Sequence, residues 1–217
     1  MKSKVLLFAL AATALSLTSK AQDKTTFGVR AGVNFTNVNG EDENKDKLDN
    51  KLKAGFNIGV NAEIPVASEF YLQPGILFTT KGAKDKEGDG KLNLSYIEIP
   101  INFLYKPTLG DGKLLLGFGP YLGFGIGGKY KNGSTEYKVK YKNDFKLSDQ
   151  SATDPKMFLK GLDFGGNLLV GYELSSKLSF QLNAQLGMAN LVPKFNGKEQ
   201  DGKFKNTGFG ISVGYRF

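Results

Sequence analysis

The stretch GFGISVGYRF, Gly208 to Phe217, alternates without a break. Drawn as a strand it sets Phe209, Ile211, Val213, Tyr215 and Phe217 on one face and Gly210, Ser212, Gly214 and Arg216 on the other, because successive side chains of an extended chain point to opposite sides. The same pattern recurs seven times upstream, and that recurrence restricts the fold more than any other property of the chain.

The first run, Thr26 to Asn37, opposes Phe27, Val29, Ala31, Val33 and Phe35 to Gly28, Arg30, Gly32 and Asn34. The second, Leu52 to Ile64, opposes Leu52, Phe56, Ile58, Val60 and Ile64 to Lys53, Asn57, Asn61 and Glu63. Further runs cover Phe70 to Lys81, Leu92 to Tyr105, Leu114 to Gly127, Lys160 to Leu174 and Lys177 to Met188. Short turns follow the second, fourth and sixth runs (PVASE, KPTLGDGK, SSK), whereas long polar segments follow the first, third, fifth and seventh: Val38 to Lys51, Gly82 to Lys91, Gly128 to Lys160 and Ala189 to Asn206. One end of the molecule is tightly turned and the other is rich in loops.

An even number of strands of about ten residues, with this asymmetry of turns and aromatic residues near strand ends, predicts an all-β fold: an eight-stranded antiparallel transmembrane β-barrel. A soluble lipocalin-like barrel alternates too, with its apolar set inside. Here the polar faces hold many Gly and Asn and few long solvating chains, which suits a narrow interior, and the apolar faces stay apolar over nearly the whole strand, which suits lipid. A bilayer admits only helices and closed barrels, since any open edge leaves backbone groups unpaired in hydrocarbon.

The N-terminus agrees. Lys2 and Lys4 precede an apolar run from Val5 to Leu17, and Ser19-Lys20-Ala21 has the form of a signal-peptidase site, so residues 1–21 are expected to be a cleaved secretory signal peptide and residues 22–217 the outer-membrane β-barrel domain. Loss of the three lysines 2, 4 and 20 lowers the formal charge from +8 to +5. The basicity is spread over loops, without the dense stripe that nucleic acid requires, and the chain has no Cys for a disulfide, a lipid anchor or a thiolate zinc site.

The stretches LSYIEIPINFLYKP (Leu94 to Pro107), GFGPYLGFGIGG (Gly117 to Gly128), LDFGGNLLVGYEL (Leu162 to Leu174) and the final GYRF resemble the PorT-like outer-membrane β-barrel family, labelled "porin family protein", small barrels of the OmpA/OmpX type. The resemblance spans essentially the whole mature chain. It implies an eight-stranded barrel in the bacterial outer membrane and no particular activity. A terminal strand ending in Phe looks like the assembly signal that such barrels present to their insertion machinery, with Tyr215 and Phe217 as its aromatic residues.

Two motifs imitate ligand sites. Gly123 to Tyr130, GFGIGGKY, contains G-x-G-x-x-G and most of a phosphate-binding loop, but ends in Tyr130 where Ser or Thr belongs and is followed by no helix pattern. Its glycines read as inward strand positions that make room for Arg30, Tyr71 or Tyr121. Asp85 to Gly90 imitates half of a calcium loop through Asp85, Glu87, Asp89 and Gly90, but the bidentate Glu is replaced by Tyr96. No metal and no cofactor is expected. Catalysis is not expected either: His and Cys are both absent, and no carboxylate pair is spaced beside a pocket.

Charges on the inward faces are Arg30, Lys53, Glu63, Lys81, Glu98, Asp163, Glu173 and Arg216. Buried charges must pair, so these should form a network in the lumen, with Arg30 or Lys53 as the cation beside Glu98. Pro74, Pro100 and Pro120 each remove a ladder donor, so bulges are expected there. The functional expectation is a closed barrel with a structural or interaction role in the envelope, monomeric, meeting outer-membrane lipid and lipopolysaccharide. Eight lysines against four acids between Lys129 and Lys160 suit phosphate-rich headgroups. The alternative is a narrow pore or a secretion-associated transport component.

Overall fold

A computed structural model describes residues 24–42, 44–86, 88–151 and 154–217. The signal-peptide expectation therefore lies outside the described residues. Eight long strands form the wall: β1 (Thr26–Glu41), β2 (Lys53–Ala67), β3 (Phe70–Asp85), β4 (Lys91–Tyr105), β5 (Gly112–Asn132), β6 (Leu162–Glu173), β7 (Leu178–Gly187) and β8 (Lys203–Arg216). Each pairs antiparallel with its sequence neighbours. The ring closes where β8 pairs with β1, Tyr215 opposite Val29 and Phe209 opposite Phe35. The fold is an eight-stranded antiparallel barrel.

Side-chain direction follows the alternation. Phe27, Ile58, Phe118, Leu168, Leu182 and Phe209 are all more than half exposed on the outer wall, whereas Lys81, Glu98, Asn102, Asp163 and Ser212 are buried inside. Outward apolar and inward polar is the arrangement that hydrocarbon demands and water forbids.

The prolines do not make bulges. Pro74 opposite Ile101 and Leu77 opposite Glu98 keep one alignment of β3 and β4, and Pro100 opposite Tyr121 and Phe103 opposite Phe118 keep one alignment of β4 and β5. Pro120 sits in an unbroken run opposite Gly166. A proline withholds one donor but adds no residue, so the register survives. The irregularities lie at Pro65/Ala67 and at Ser95/Tyr96, where Ser95 faces Gly127 and Tyr96 faces Gly125, leaving Ile126 as the extra residue.

At the loop end the strands outrun their expected limits, since β1, β3 and β5 continue to Glu41, Asp85 and Asn132. They carry a cap. The strand Thr135–Tyr141 folds back on the end of β5 through a turn at Gly133, and Lys156–Leu159 adds to it in parallel. Val139 and Leu159 from this segment, with Ala189 and Leu191 from the next long connection, bury themselves against the inward residues Val38, Ala83, Leu92, Leu94 and Tyr96. The segments expected as polar loops thus supply half of a water-excluding core, because the inward faces turn apolar above the wall.

Candidate functional site

Beneath the cap the lumen is filled by two charge clusters. On the loop side, Lys81 Nζ lies 2.5 Å from Glu98 Oε1 and 3.1 Å from Asp163 Oδ2. The Tyr121 hydroxyl and Asn206 Nδ2 donate to Asp163 Oδ2 at 3.3 and 2.9 Å, and Gln185 Nε2 donates to Glu98 Oε2 at 3.1 Å. The ammonium also lies 4.5 Å from the centre of the Tyr121 ring, a contact worth roughly 2 kcal/mol when desolvated.

On the turn side the hub is Lys106, 2.7 Å from Glu63 Oε2 and 3.0 Å from Glu173 Oε2. Glu63 Oε1 accepts from Arg216 Nη2 at 2.5 Å and from Gln73 Nε2 at 3.1 Å. An amide chain runs inward from there: Asn102 donates to Gln73 at 3.1 Å, and Asn167 donates to Asn102. Beside the loop-side cluster a chamber of about 40 Å³ is lined by Arg30, Asn34, Asn57, Thr79, Glu98 and Asn183 among others, with Arg30 Nη1 donating to Asn183 Oδ1 at 3.2 Å.

Of the eight charges expected inside, Lys81, Glu98 and Asp163 meet in one cluster, and Glu63, Glu173 and Arg216 meet in the other through Lys106. The cation beside Glu98 is Lys81, from the adjacent strand, and not Arg30 or Lys53. Arg30 holds an amide, not a carboxylate. Lys53 is 3% exposed at the loop-side rim, and its ammonium reaches only the Ala54 carbonyl, at 3.4 Å. The turn KPTLGDGK begins at Lys106, yet this residue continues the inward phase of β4 through Glu98, Asn102 and Leu104 and is 4% exposed. With Lys106 counted, Arg30, Lys81, Lys106 and Arg216 balance Glu63, Glu98, Asp163 and Glu173, and Lys53 at the loop-side rim is left over as a buried cation.

The two imitated motifs dissolve in the wall. Gly123 to Tyr130 lies within the single strand β5 and opens no helix. Gly125 makes room not for Arg30, Tyr71 or Tyr121 but for Tyr141 of the cap, whose ring would meet an added Cβ at 2.3 Å. In the other motif, Asp85 accepts from the Tyr130 hydroxyl at 2.9 Å, Tyr96 faces the lumen, and Glu87 lies outside the described residues. Among the described residues no three His, Cys, Asp or Glu side chains are grouped to hold a metal ion. Tyr215 and Phe217 stand on the outer wall in edge-to-face contact, and the Phe217 N–H donates to the Phe27 carbonyl at 2.8 Å.

A closed barrel with an apolar exterior and a polar, ion-paired interior defines a membrane β-barrel. The outer membrane protein beta-barrel domain family matches residues 6–217, and the chain belongs to that family. Its place is the bacterial outer membrane. No curated protein sequence matches the chain. Among solved structures it is similar to Ail, the attachment invasion locus protein of Yersinia pestis (11% identity, 90% of this chain and 100% of that one, TM-score 0.42). It is also similar to Neisserial surface protein A (12%, 90% and 100%, 0.46) and to OprG of Pseudomonas aeruginosa (14%, 88% and 95%, 0.48). At such identities the likeness is one of fold.

Proposed function

We propose that the protein is a small, self-plugged barrel of the PorT-like kind that serves the envelope as a structural or interaction protein and catalyses no reaction. The observation that carries this reading is the filled lumen. From the cap through Lys81, Glu98 and Asp163 to the amide chain and the Lys106 cluster, side chains bond across the lumen. The chamber beside Glu98, about 40 Å³, has room for about three waters, and a wider vestibule of about 680 Å³ opens on the turn side, floored by Glu63, Lys106, Glu173 and Arg216. An eight-stranded barrel is just wide enough for side chains to fill it. Its partners in this reading are outer-membrane lipid and lipopolysaccharide, with the assembly machinery acting on the terminal strand through Tyr215 and Phe217, and it works as a monomer. Planar-bilayer recording of the purified protein tests the claim: no large, steady conductance is expected, and reproducible openings would overturn it.

The chamber beside Arg30 favours a second reading, a narrow pore or secretion-associated component in which the two clusters act as gates. Openings that respond to charge reversal at Glu98 or Lys81 would select it.

A further inference from the structure

Four lysines stand shoulder to shoulder on the outer wall. Lys51 is directly opposite Lys84, Lys84 opposite Lys91, and Lys91 opposite Lys131, on four adjacent strand segments. All four are exposed and occupy the outward phase, since their neighbours Ala83 and Leu92 point inward into the apolar core. At about 4.8 Å between strands the row spans roughly 15 Å.

Such a row is costly by itself, because like charges directly opposite one another destabilise a sheet. Only Lys131 has an acid, Glu136 at 3.1 Å, which Lys129 shares at 3.4 Å. Lys51, Lys84 and Lys91 have no ion-pair partner among the described residues. Asp85 accepts from the Tyr130 hydroxyl and Asp49 pairs with Lys86, so neither is held by the row. Behind the row lies Lys53, a buried cation without a carboxylate. The described residues therefore leave most of the charge of this row uncompensated.

The wall below the row indicates the source. Going down from the lysines, the half-buried outward positions are small and polar, with Thr80 on β3, Asn93 and Ser95 on β4 and Gly127 on β5. Below them the wall becomes apolar at Phe78, Ile76, Ile97 and Ile126. A molecule lying along this strip meets cations, then hydrogen-bonding groups, then hydrocarbon, which is the profile of an amphiphile with an anionic head. A free anion would use only the first of the three. Each phosphate carries about −1.5 to −2 charge at neutral pH, so three uncompensated lysines and Lys53 call for two phosphates.

We propose that the row formed by Lys51, Lys84, Lys91 and Lys131 binds the head of a diphosphorylated glycolipid in the loop-side leaflet. This deepens the reading of the barrel as an interaction protein. It depends on the chain spanning the membrane and not on whether the lumen conducts, so a conducting barrel would overturn the closed-lumen reading and leave the row untouched.

The test uses the full mature chain refolded in uncharged detergent, with diphosphoryl lipid A, monophosphoryl lipid A and inorganic pyrophosphate as probes, binding being read by native mass spectrometry. Lys84→Gln with Lys91→Gln should weaken diphosphoryl lipid A binding at least tenfold, while Lys140→Gln with Lys198→Gln on the exposed cap leaves it unchanged. Monophosphoryl lipid A should bind more weakly than the diphosphoryl form, and equimolar pyrophosphate should not compete. Equal binding by the wall variant overturns the proposal, and effective competition by pyrophosphate reassigns the row to free phosphate and overturns the lipid. Heat-modifiable gel migration reports folding of each variant. Thermal melting in lipid-free micelles at low salt gives a second readout: the wall variant should melt higher than the parent, and a lower melting temperature would mean the row is not repulsive, which also overturns the argument.

Discussion

Lys81 and Glu98 meet at 2.5 Å across adjacent strands although they are not opposite each other: Lys81 faces Leu94 in the register and Glu98 faces Leu77. The long lysine stem spans the diagonal, which brings its ammonium within 3.1 Å of Asp163 as well. One cation thereby holds two buried carboxylates, and the two ends of the arrangement are not equivalent. Lys81→Met strands both acids and should destabilise by roughly 3–5 kcal/mol. Glu98→Gln leaves Lys81 on Asp163 and should cost about 1–3 kcal/mol. Urea unfolding from lipid vesicles measures both, and equal losses would refute the asymmetry.

Lys106 and Lys53 make a second contrast, since both are buried lysines but only Lys106 has carboxylates. Lys106→Met should cost roughly 3–5 kcal/mol by freeing Glu173 and half of Glu63. Lys53→Met removes an uncompensated charge and should be neutral or stabilising. A large loss at Lys53 would reveal a partner for it.

The cap should come off without the wall. Gly125→Leu puts a side chain where the Tyr141 ring lies, so limited trypsin digestion is expected to cut at Lys138 or Lys142 much faster than in the parent, while heat-modifiable migration persists. Unchanged digestion would show that Tyr141 does not anchor the cap.

Acid should loosen the cap first. The lysines beside Glu136, Asp149 and Asp154 hold these exposed carboxyls below their ordinary values: Lys131 on Glu136, Lys142 on Asp149 and Lys138 on Asp154, each first through a hydrogen bond. A folded value below the unfolded one means stability that is present at neutral pH and is lost as the pH falls through the folded value. Below about pH 4, amide exchange in residues 135–159 should quicken relative to the wall amides. The effect is modest because the pairs are solvent-screened. Exchange that quickens equally in both places would refute it.

Deleting Phe217 should reduce assembly in cells and leave refolding into detergent nearly intact, because the exposed ring is assigned to recognition. Equal losses in the two assays would reassign it to stability through its bond to Phe27.

Much of this was legible in the residues. Period-two alternation settles which face of each strand meets lipid, and the parity of strands and turns settles closure, because a slip of one residue would put Glu98 or Asp163 into hydrocarbon. The inward phase of β4, followed two residues further, also reaches Lys106. The prolines carry no signal of a bulge, because a lost donor is not an inserted residue. The cap escaped because Val139, Leu159 and Leu191 are scattered among lysines and show no period of their own.

By itself, the order of residues determined the number of strands, their inside and outside, and the membrane as solvent, since each depends only on local alternation and on spacing along the chain. Tertiary structure alone decided which charges meet. Lys81 and Asp163 are 82 residues apart in sequence, and Arg216 and Glu63 are 153 apart, so their contact depends on closure of the ring and on the height at which each strand enters it. The lysine row has the same origin. Each lysine is unremarkable in its own segment, and only the pairing of four segments sets the charges side by side.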